Sequence, residues 1–149
     1  MEAGERVQGH ARGDAAAVTR VRGWLLVLCL LLLAWQPVSL SLTIAGRLGS
    51  LSLRGPGFAA ILAARFLAAA LGIAAGLALL QRKPGAVTIA RASLVFSAAV
   101  DVLVYVTPWY PNNRPPGDET LILAGSLAYY ASWLAYLARS KRVIAIFEP

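Results

Sequence analysis

Four stretches of the chain are almost free of charged residues: residues 24–46, 57–80, 86–107 and 120–138. Each is 19 to 24 residues long, and about 20 residues of helix cross the ~30 Å hydrocarbon layer of a bilayer. The pattern predicts an all-α fold, an integral membrane four-helix bundle, with residues 21–149 forming one four-span domain. Residues 1–20 mix Gly, Ala and both signs of charge without apolar periodicity, which predicts a disordered tail.

The few polar positions inside the spans carry most of the remaining information. Span one contains "WQPVSLS", where Pro37 lacks an N–H and crowds the carbonyl of Leu33, so a kink is expected at Gln36 and Pro37. Span two carries a row of small residues four apart, Ala60, Ala64, Ala68, Gly72 and Gly76. Such rows let helix backbones approach closely in lipid, where no hydrophobic drive joins helices. The partner is either another helix of this chain or the same helix of a second copy. In span three, Ser93, Ser97, Asp101 and Tyr105 recur every fourth residue and share one face. Arg91, near the end of that span, can snorkel to water. Span four has an aromatic and hydroxyl stripe: Ser126, Tyr129 or Tyr130, Trp133, Tyr136 and Ser140.

Composition strengthens the membrane reading. The 149 residues are 58% hydrophobic and 14% charged, against about 25% charged in ordinary soluble domains. A net charge of +7 raises the possibility of nucleic acid, but the basic residues sit at the ends of apolar runs rather than on a stripe with exposed aromatics. They report topology instead. Nine fall on one side (Arg6, Arg12, Arg20, Arg22, Arg82, Lys83, Arg139, Lys141 and Arg142) and three on the other (Arg47, Arg54 and Arg114). The positive-inside rule then places both termini in the cytoplasm. Abundant Ala, Leu, Gly and Arg with only two Lys point to a GC-rich bacterial genome, hence the bacterial inner membrane. A competing reading of "RVRGWLLVLCLLLLAW" is a cleaved signal peptide, although the apolar run continues past Pro37 further than such a peptide requires.

Chemistry-bearing patterns are scarce. Cys29 and His10 are each the only residue of their kind, so no internal disulfide and no Cys-based metal site is expected. There is no H-E-x-x-H, no G-x-S-x-G and no glycine-rich phosphate loop. Neither a cofactor nor catalysis is expected. What stands out is Arg65 in "AARFLAAALGIAAG". Arg65 lies eight residues from one end of its span and Asp101 six from the same end of the next, roughly 12 Å and 9 Å deep. The short "QRKPG" connection makes the two spans antiparallel neighbours, so an intramembrane Arg65–Asp101 ion pair is expected. The alternative leaves Arg65 snorkelling outward and Asp101 protonated beside Ser97 or Tyr105.

The chain closes on "SWLAYLARSKRVIAIFEP". Its W-x2-Y-x3-S-K-R-V-x3-F pattern, occupied by Trp133, Tyr136, Ser140, Lys141, Arg142, Val143 and Phe147, resembles the closing signature of a family of small bacterial inner-membrane proteins catalogued only as a domain of unknown function. "RGWL" at the start of span one is similar to that family's opening. The resemblance implies a four-helix membrane protein and supplies no catalytic residue. Two roles follow from the whole reading: an accessory or assembly protein acting through helix packing on a membrane partner or a second copy, or an oligomeric transporter or channel component using Arg65, Asp101 and the polar face of span three.

Overall fold

The computed structural model describes residues 23–45, 55–109 and 117–147. The N-terminal tail, and with it the disorder expected there, lies outside them. Among the described residues the chain is helical between short turns, with four helices long and apolar enough to cross a membrane. Span one runs from Trp24 to Ala45 in three stretches, α-helix Trp24–Leu30, π-helix Leu31–Trp35 and α-helix Gln36–Ala45. Spans two, three and four are Gly55–Leu80, Ala86–Val106 and Asp118–Arg139, and a short helix, Lys141–Phe147, follows.

The irregularity near Gln36 and Pro37 lies in the turn just before them. Helix continues through both residues, and the distortion is the π turn just before them, where the Gln36 N–H bonds the Leu31 carbonyl five residues back. A wider turn there eases the crowding that the Pro37 ring imposes on the carbonyl of Leu33. Beyond it, the Ser39 and Ser41 hydroxyls donate to the carbonyls of Gln36 and Pro37.

Spans two and three are joined by a tight turn and make the most extensive contact in the bundle. At its start Arg82 adopts a left-handed conformation, φ 52°. Its N–H bonds Leu79 O at 3.3 Å and the Lys83 N–H bonds Ala78 O at 3.0 Å. This is the Schellman arrangement that closes helix ends, with Arg where Gly is usual. Gly85, φ 78°, then opens span three.

The small-residue row of span two divides along its length. Ala60 is exposed and Ala64 half-buried, while Ala68, Gly72 and Gly76 are buried. The two glycines face span one of the same chain. A Cβ on Gly76 would lie 2.7 Å from Leu33 Cγ and 3.3 Å from the Cys29 carbonyl, and one on Gly72 would collide with the Gln36 amide. The Gly-x-x-x-Gly notch is therefore filled within the chain.

Two apolar clusters hold the bundle. One lies at the end carrying Arg82, Lys83 and Arg139, here the basic end. It joins Leu25, Leu28, Cys29 and Leu32 to Ala75, Leu79, Leu94, Leu137 and Val143. The other lies towards the opposite end, with Ile61, Ala68, Val100 and Val104 at its centre. There Trp109 rests against Gly57. Span four is the outlier: 6% of its apolar stretch is buried, against 28–39% for the other three.

Candidate intramembrane polar site

Between the two apolar clusters, polar side chains from all four spans meet around one cavity of about 70 Å³. Span two contributes Arg65, span three Ser97 and Asp101, span one Gln36 and span four Tyr130. Leu40, Ala68, Ala69 and Val100 supply the apolar walls. Arg65 Nη2 stands 3.6 Å from Asp101 Oδ1, both side chains being partly buried. The Tyr130 hydroxyl donates to the other carboxylate oxygen, Asp101 Oδ2, at 3.0 Å. Gln36 Nε2 donates to Ser97 Oγ at 3.0 Å, tying span one to span three.

The arrangement follows from helical spacing. Ser97 and Asp101 are one turn apart on the face of span three that packs against span two. The antiparallel turn at residues 81–85 brings Arg65 alongside at matching depth. Gly72 has no side chain, and this lets the Gln36 amide settle against span two. Gln36 Oε1 is buried against Gly72, without a hydrogen-bond partner among the described residues.

The rest of the polar face of span three goes elsewhere. Ser93 is fully buried, and its Oγ has no hydrogen-bond partner among the described residues. Tyr105 packs beside the second apolar cluster, away from the cavity lining. The adjacent tyrosines of span four touch edge to face, 5.2 Å between ring centroids, but their further contacts differ. Tyr130 turns to Asp101, whereas Tyr129 joins a ladder of rings with Trp133 (6.4 Å between centroids), Trp133 with Tyr136 (5.9 Å) and Trp133 with Trp24 (6.4 Å).

Arg91 does more than snorkel. Its Nη2 donates to the Leu137 carbonyl at 3.0 Å, one of the carbonyls left over at the end of span four, where a cation also complements the helix dipole. In the closing motif, Trp133 and Tyr136 pack against the basic-end cluster, Val143 is 2% exposed within it, and Phe147 packs on its edge. Ser140 leaves the helical conformation and begins the final helix, and Lys141 is exposed. The side chain of Arg142 lies outside the described residues.

Gln36 and Tyr130 are the site residues that sequence reasoning placed elsewhere. Gln36 is the only amide side chain within the spans, and a buried amide needs partners. That was the available signal. Nothing in the spacing distinguishes Tyr130 from Tyr129.

Fold and site together define a small multi-pass membrane protein whose helices share a polar layer at depth. Comparison with known protein families, with curated proteins and with solved structures finds no match to this chain.

Proposed function

We propose that the protein is a non-catalytic accessory or assembly component of the bacterial inner membrane, with both termini in the cytoplasm, acting through helix packing. The observation that carries this reading is the state of span four, which is 6% buried and touches the bundle mainly through span three. Gly125 on it has nothing within 4 Å of where a side chain would begin, so a partner helix has room to approach. The charges of Arg65 and Asp101, by contrast, are matched inside the chain. The test is purification in mild detergent. A membrane protein that co-purifies, and is lost on Gly125→Leu, supports assembly; an association untouched by that change contradicts it.

A second reading, an oligomeric transporter or channel component, is favoured by the cavity beside Arg65 and Asp101. Intramembrane ionisable residues commonly mark solute or proton paths. Solute or proton flux in proteoliposomes, abolished by Asp101→Asn, distinguishes it from assembly.

A further inference from the structure

We propose that the cavity between the four spans is a hydrated site, binding small uncharged hydrogen-bonding molecules and occupied by water. Buried water requires a polar cavity with room for it and two to four partners. The space of about 70 Å³ has room for a few water molecules, and Gln36, Ser97, Asp101 and Tyr130 line it with donors and acceptors. Gln36 brings its amide to the wall with Nε2 on Ser97 Oγ, and polar groups that line such a space are stabilised by whatever supplies a further hydrogen bond. The separation of 3.6 Å between Arg65 Nη2 and Asp101 Oδ1 is longer than a charge-assisted hydrogen bond of about 2.7–2.9 Å, so the pair is not closed tightly on itself.

Charge selects the class of guest. Arg65 and Asp101 balance one another across the cavity, so an ion entering alone leaves one uncompensated charge in a medium of low dielectric. A neutral polar molecule adds hydrogen bonds without that penalty. The inference holds whether the protein assembles with partners or transports.

The protein carries its own control for the test. Cys29 is fully buried in the apolar basic-end cluster, where a water-borne reagent does not reach it. Ser97→Cys places a second thiol at the cavity wall, and reaction of both with methyl methanethiosulfonate in membranes is followed by peptide mass spectrometry. Cysteine at 97 is expected to react at least about tenfold faster than Cys29. Ala69→Leu, which adds three carbons to the lining, is expected to return that rate to the level of Cys29. A residue-97 thiol no faster than Cys29, or a fast rate indifferent to Ala69→Leu, overturns the proposal. Should Ser97→Cys fail to fold, magnetisation transfer from water in bilayer samples of the unaltered protein decides. Transfer to the Arg65 side chain as slow as transfer to Cys29 contradicts a hydrated site, and distinctly faster transfer supports it.

Discussion

Tyr130 reaches from the least buried span to donate its hydroxyl proton to Asp101 Oδ2 over 3.0 Å. The carboxylate is thereby held from two sides, since Arg65 Nη2 faces its other oxygen at 3.6 Å. One acidic side chain thus ties spans two, three and four into a single layer, and the adjacent bond from Gln36 to Ser97 brings in span one.

Tyr130→Phe keeps the ring and removes only the donor. Side-chain hydrogen bonds between membrane helices average about 0.6 kcal/mol and reach about 1.7. A loss of about 1 kcal/mol in unfolding free energy is expected, read by reversible denaturation in detergent. Tyr129→Phe, at an exposed position away from Asp101, is expected to change it less.

Gly72, Gly76 and Gly125 are expected to rank sharply when each is changed to Ala. Gly76→Ala drives a methyl into Leu33 Cγ and towards the backbone carbonyl of Cys29, so span one must move; a loss of about 1–3 kcal/mol is expected. Gly72→Ala displaces the Gln36 amide and with it the bond to Ser97, for a loss of about 1 kcal/mol or more. Gly125→Ala meets nothing and is expected to be neutral or slightly stabilising in the monomer through helix propensity. Thermal denaturation of the three purified variants gives the ranking.

Most of the fold was legible because a bilayer leaves a chain few choices. Long apolar runs must be helices that satisfy their own backbone, and the four runs match the observed helices within two residues at each end. Arg65 and Asp101 were legible for the same reason, since depth and a short antiparallel turn constrain which charges meet. The place of the span-one break was not. Pro37 announces a disturbance, but its place, a π turn at Leu31–Trp35, is not marked by any residue type. Tyr130 was illegible too. Two adjacent tyrosines differ by about 100° of helix rotation, and only tertiary packing sets the rotation of span four. The bond from Arg91 to Leu137 likewise depends on where span four ends beside span three.

The final helix is expected to stabilise the bundle rather than hang free. Val143 is 2% exposed among Leu25, Leu79 and Leu137. Val143→Ala should cost about 2 kcal/mol from lost apolar burial and the cavity left behind. Removal of residues 143–149 should lower abundance in the membrane. If truncation instead changes neither abundance nor stability but removes a co-purifying protein, the segment serves docking.

Topology gives an expectation independent of packing. A cytoplasm-active reporter should work at either terminus and a periplasm-active one near Asn113, a position outside the described residues. Mass measurement of the purified chain checks the alternative of cleavage near Gly46: an intact N-terminus agrees with four spans, and a shortened chain contradicts it.

Exchanging the charges of the central pair tests the account most directly. Asp101→Ala removes the carboxylate that faces Arg65 in a low-dielectric layer and should cost about 3–5 kcal/mol. Arg65→Ala should cost less, because Tyr130 still donates to the carboxylate. The double change Arg65→Asp with Asp101→Arg restores opposite charges at the same depth but disturbs the bond from Tyr130. It should therefore recover part of the lost abundance and stability, and not all. Partial recovery by the double variant, together with the asymmetry between the single ones, is the predicted result; a harmless Asp101→Ala and no rescue by the exchange would contradict the pairing.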